Sequence, residues 1–142
     1  MYMGEQTHRL EDLSAELLAL VHESVAMGLD SIMGDEDLIP VLNIRTTMIV
    51  LQTETLEEAR KAVPAVLTSS GVEQGVLIYN GYATLEDGQS TRALLAEAYE
   101  LTTGARFCFT QQYRPPRKAS FLSRAQPLDC IGELKFIDCR PE

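Results

Sequence analysis

Apolar residues near the N-terminus recur at helical steps. Leu10, Leu13, Leu17, Leu20, Val21 and Val25 are mostly three or four residues apart, while Glu11, Asp12, Glu16 and Glu23 lie mostly off that stripe. The spacing predicts one amphipathic helix over 1–29, with Gly28 as its stop. A polar acidic loop, "DSIMGDEDL", follows, and then "LIPVLNIRTTMIVLQT", rich in apolar and β-branched residues. Residues 38–52 therefore read as strand, either one long strand or two short ones turning near Asn43–Arg45. Pro40 belongs at a strand start or an edge, because it cannot donate to a ladder.

Residues 55–70 read as a second helix. Thr55 and Glu58 form an S/T-x-x-E capping box, and Leu56, Ala59, Val63 and Val66 form an inward face. Pro64 should kink or end this helix, and Ser69-Ser70-Gly71 terminates it. Residues 75–114 read as a strand meander. Asn80-Gly81 and Asp87-Gly88 are both hairpin dipeptides. A turn at Asn80-Gly81 would leave very short arms, so one strand over 75–85 with Gly81 at a bulge is preferred, turning at Asp87-Gly88. "STRALLAEAYE" has helix-forming composition but follows a turn and precedes the strand "ARFCFTQQY". The turn argues for strand, while composition argues for a helix starting at Thr91. Residues 115–142 read as an irregular loop and a last short strand, "CIGELKFID". The fold class expected is α+β: one domain over 1–142, with a mostly antiparallel sheet of about four to six strands and two helices packed on one face.

The chain has 142 residues, 45% hydrophobic and 23% charged, which fits one ordinary globular domain. No apolar run approaches a membrane span, and the start lacks a basic-then-apolar leader pattern. Three cysteines, Cys108, Cys130 and Cys139, form no C-x-x-C. These features together predict a cytoplasmic protein with reduced, inert thiols, Cys108 being a small buried hydrophobe.

Charge changes the picture most. The formal net charge is −9, yet residues 101–128 hold five bases and no acid, whereas residues 1–100 have net charge −12. Overall acidity argues against non-specific nucleic-acid or anionic-membrane binding. The basic 106–124 segment keeps a specific anion contact open. Arg106, Gln112 and Arg114 share strand parity, and Tyr113, Arg117 and Lys118 continue into "QQYRPPRK". Arginine offers a planar fork to carboxylate or phosphate, and Pro115-Pro116 stiffens the loop. The same cations could equally balance the acids elsewhere in the chain, at little gain per exposed pair.

Other chemistry has less support. His8 and His22 lie fourteen residues apart on one expected helix, about 21 Å at 1.5 Å per residue, too far to share a metal. Asp30, Asp35, Glu36 and Asp37 break the EF-hand pattern, because the third position from Asp30 is Ile32; a solvated acidic loop is the simpler reading. Ser69, Ser70 and Ser120 have no nucleophile elbow, and no phosphate-binding glycine motif occurs. The tyrosines and phenylalanines fit core or interface better than base stacking. No cofactor is expected.

The leading expectation is a non-catalytic binding module. It would contact an acidic protein surface or a small anion through Arg106, Gln112, Tyr113, Arg114, Arg117 and Lys118, and would self-associate, as a dimer, through an uncovered sheet edge or face. One alternative is an enzyme that holds an anionic substrate with Arg106, Arg114 and Arg117. Its mark would be a pocket where those three arginines converge with a titratable group of perturbed pKa. Another is a structural subunit of a larger assembly.

Overall fold

A computed structural model describes residues 10–32, 39–84, 88–117, 119–122 and 124–137. A single 3-10 turn, Leu10–Asp12, precedes helix α1, Ala15–Ser31. The helix expected over 1–29 thus starts late within the described residues. Ser14 interrupts it: its backbone is extended and its Oγ accepts from the Leu17 N–H at 3.1 Å, as an N-cap does. Nor does Gly28 stop the helix. It is buried inside α1, where a side chain would meet Leu94 and Ile78.

Strands β1, Val41–Asn43, and β2, Met48–Val50, form a short hairpin. Helix α2, Leu56–Ser70, begins on Thr55, whose Oγ1 accepts from the Glu58 N–H. It runs through Pro64 rather than ending there. Gly71, at φ 71°, closes it in the left-handed conformation that glycine adopts without penalty. Four long strands follow: β3, Gln74–Thr84; β4, Ser90–Glu100; β5, Ala105–Arg114; and β6, Asp129–Ile137. All six strands make one antiparallel sheet in the order β2-β1-β3-β4-β5-β6. The class is α+β. Residues 90–100 are strand, and 74–84 form one continuous strand. Of the expected Asp87-Gly88 turn, Asp87 lies outside the described residues and Gly88 has φ 87°.

The helices are placed differently from the single-face expectation. Alternate residues of β3 and β4 enter two separate cores. Val76, Ile78, Leu94, Ala96 and Ala98 pack with Leu17, Leu20, Val21 and Val25 of α1. Leu77, Tyr79 and Tyr99 pack with Ala59, Val63 and Leu67 of α2. Successive strand side chains point to opposite faces, so α1 and α2 cover opposite faces. This also explains why "ALLAEAY" is strand despite its composition. Ala96 and Ala98 are completely buried under α1, where small side chains let the helix approach. Burial in the sheet overrides helix propensity.

Ser24 and Asn43 tie α1 to the sheet. Asn43 Nδ2 donates to Ser24 Oγ at 2.9 Å, and Ser24 Oγ donates to the Leu20 carbonyl. Cys108 is buried and disulfide-bonded, which corrects the expectation of a free thiol there; Cys130 is free and exposed, and Cys139 lies outside the described residues. No helix among the described residues is long and apolar enough to cross a membrane.

Candidate functional site

Glu97 lies in the middle of β4, facing α2, and is 1% exposed. A carboxylate in that position must be paired and hydrogen-bonded, because burying an uncompensated charge costs several kcal/mol or more. The fold supplies partners from four elements. Arg60 of α2 brings Nε to 2.9 Å from Oε2 and 3.1 Å from Oε1. Tyr99, two residues along on the same face of β4, donates to Oε1 at 2.7 Å. Tyr79 of β3 donates its hydroxyl to Oε2. Arg106 of β5, paired in register with Tyr99, places Nη1 3.9 Å from Oε1.

This arrangement fixes the protonation of Tyr79, Tyr99 and Arg60. Burial, reinforced by the neighbouring Glu97 charge, pushes both phenols well above their ordinary value; Arg60 opposes the shift at Tyr79, and Arg106 at Tyr99. Both remain neutral donors. Partial burial works against the charge on Arg60, but Glu97 outweighs it and holds the guanidinium above its ordinary value. Glu97 accepts two phenolic hydrogen bonds and one guanidinium, so its oxygens are occupied. It orients Arg60, attracts Arg106 more loosely, and is poorly placed to take a substrate proton.

Above this group lies a cleft of about 450 Å³, lined by Arg60, Lys61 and Pro64 of α2, Tyr99, Gly104 and Arg106. Among the described residues, Arg60 makes hydrogen bonds only through Nε, leaving its two terminal nitrogens unused. Three cations, Arg60, Lys61 and Arg106, face two carboxylates, Glu57 and Glu97. The cleft carries one surplus positive charge. A second cleft, near 460 Å³, lies between α1 and the β1–β2 turn. Its one cation, Arg45, faces Glu16 and Glu73, so it is a poorer place for an anion.

The six residues singled out from the sequence do not converge. Arg106 enters the cleft. Gln112 and Arg114 share its sheet face, but eight residues of strand put Arg114 about 26 Å away. Arg114 pairs with Asp129 across β5–β6 at 3.3 Å, both side chains being largely exposed. Tyr113 is fully buried on the α1 face, where its hydroxyl accepts from Asn80 Nδ2. Arg117 is exposed in the following loop, and Lys118 lies outside the described residues. Arg60, Lys61, Tyr79, Glu97 and Tyr99 were not anticipated. One signal was present: as a strand, "LLAEAYE" puts Glu97 on an inward face beside Tyr99, a lone acid among buried apolar residues.

Asp35, Glu36 and Asp37 lie outside the described residues. Among the described residues, no three of His, Cys, Asp and Glu are grouped to hold a metal ion. No family model, curated protein or solved structure matches the chain.

Proposed function

We propose that the protein is a non-catalytic binding module that takes a small carboxylate or phosphate anion in the cleft beside α2. Arg60 and Arg106 are its principal contacts, with Lys61 at the rim. One observation carries the reading: two guanidinium groups flank a single buried carboxylate that is already saturated with donors. Arg60 is thereby held in place, with Arg106 more loosely tethered beside it and charge to spare, which reduces what must be ordered on binding. The chemistry at hand supports binding over turnover. The phenols are held neutral, Glu97 is occupied, and Arg106, Arg114 and Arg117 are strung along a strand and loop instead of around one pocket. A wider contact of the 106–124 segment with an acidic protein surface is the second reading, supported by the exposure of Arg114 and Arg117.

Thermal unfolding with inorganic phosphate, and separately with citrate, tests the anion site. A ligand present at about 100 times its Kd adds about 2.7 kcal/mol to native stability, so the midpoint should rise by several degrees with at least one of them. Arg106→Ala should abolish that rise, because it removes a cleft cation whose link to Glu97 is only a loose one. Equal shifts in wild type and Arg106→Ala, or no shift in either, would count against the cleft. Comparing the two anions identifies which chemistry the site prefers.

A further inference from the structure

Among the described residues, two groups of neighbouring exposed apolar side chains lie outside the cleft, at opposite edges of the sheet. The first is the excursion between β5 and β6. Arg117 and Gln126 exchange backbone hydrogen bonds, both 2.8 Å, and close it into a narrow-necked finger. At its tip, Phe121 and Leu122 are 101% and 90% exposed. The finger belongs to the acid-free stretch 101–128, with Arg117, Lys118 and Arg124 around the tip in sequence. Two adjacent large apolar side chains, wholly in water, call for a partner.

The second feature is the far edge. Asn43 of β1 meets Ser24 of α1, and its register partner is Met48. Met48 and, by alternation, Val50 therefore lie on the α1 face. Helix α1 packs mainly on β3 and β4, and among the described residues nothing covers this corner fully. Met48 is 36% exposed and Val50 49%, with Ile39 at 58% just before β1. Met27 of α1 forms the wall beside the corner, its sulfur 3.9 Å from Asn43 Nδ2. Glu23 and Asp30, four residues before it and three after, share that side of the helix, and both are exposed. The corner is apolar with an acidic rim.

We propose that the finger of one copy docks on the Met48–Val50 corner of another. The match is apolar tip to apolar patch and cationic flank to anionic rim. The two surfaces differ and lie at opposite sheet edges, about 24 Å apart across five strand spacings. The contact is therefore head-to-tail, and it extends the chain of copies or closes a ring. It buries little surface, so the association is weak and reversible. This inference does not rest on the anion cleft.

Sedimentation velocity over about 10 µM to about 1 mM tests it with two variants, F121D/L122D at the finger and M48K/V50K at the corner. All four side chains are at least 36% exposed, so the core is spared. Circular dichroism checks folding, and F121S/L122S with M48S/V50S repeats the test if a charge perturbs the fold. Wild type should show species above monomer that grow with concentration and weaken several-fold as salt screens the rim charges. Each variant alone should stay monomeric. Mixed one to one, they should form dimers and nothing larger, because one intact finger meets one intact corner. Three outcomes overturn the proposal. Wild type could remain monomeric throughout. The mixture could stay monomeric while wild type associates. Or a monomeric wild type could bind phosphatidylserine vesicles through Phe121 and Leu122, assigning the finger to a lipid surface.

Discussion

Arg60 Nε lies 2.9 Å from Glu97 Oε2, joining the second turn of α2 to the centre of β4. The two residues are thirty-seven positions apart in sequence, and Glu97 is 1% exposed. Removing one member of a buried pair is expensive because the other charge stays behind. Arg60→Met should destabilise the protein by about 3 kcal/mol, at the low end for such pairs, since Arg106 and two phenols remain. Adding Glu97→Gln to that variant should recover part of the loss, because a neutral amide needs no counter-ion. Urea unfolding of both singles and the double would show a coupling of about 1–3 kcal/mol; additive losses would mean that the pair contributes little.

Alkaline pH should unfold the protein through Tyr79 and Tyr99. Burial and the Glu97 charge raise both folded-state values above the ordinary one of about 10. Below about pH 10 the phenols are protonated in both states, and their contribution to stability is fully present. As pH rises further, the unfolded chain releases two protons that the folded chain retains. Stability then falls, by up to about 2.7 kcal/mol per pH unit for two groups, until the folded phenols ionise as well. Urea midpoints between about pH 9 and about pH 11 should drop steeply in wild type and less steeply in Tyr79→Phe/Tyr99→Phe.

Gly28→Ala should destabilise despite improving helix propensity. The new Cβ would stand 2.8 Å from Leu94 Cδ2 and 3.1 Å from Ile78 Cδ1, both within the α1 core. Propensity favours alanine by about 1 kcal/mol, whereas overpacking a core costs about 1–3 kcal/mol. The expected net loss is about 1 kcal/mol, read from chemical denaturation. A gain in stability would mean that Leu94 and Ile78 move aside freely.

Thr55→Ala should cost about 1 kcal/mol by removing the cap of α2. The Glu58 N–H loses its 3.1 Å acceptor, while Glu58 can still reach the Glu54 N–H. Thr55→Ser keeps the acceptor and should be nearly neutral. The loss lowers the thermal midpoint by about 3 °C.

Much of this architecture was legible in the residues. The Thr55 box, the Gly71 stop and the turn after Asn43 are local signals, and each marks an element boundary seen in the structure. Gly28 and Pro64 misled because the deciding facts are not local. Gly28 stays helical because Ile78 and Leu94 need the space, and α2 continues through Pro64 with Leu67 still anchored in the core. The opposite-face helices follow from which parity of β3 each helix meets, and a single sequence does not encode that pairing. The cleft was half legible. Arg106 stood out by charge, but Arg60 and Lys61 come from a helix about forty-five residues earlier and meet it through the Arg60–Glu97 contact of α2 with β4. Tyr113 looked like part of a basic surface and is instead core, because one step of strand parity reverses its direction.

Strand β4 is flanked on both sides by strands and has a packed core on each face. The amide hydrogens of its buried part, from Ala93 onward, can meet solvent only if a neighbouring strand and a helix leave together. Exchange with heavy water should therefore divide the molecule into tiers. Amides paired between β3 and β4 should exchange last, at a rate set by global unfolding. Those of the three-residue hairpin β1–β2 and of the finger neck should exchange early, each opening by itself. The residues that make the edges available for contact are also those whose backbone is released first.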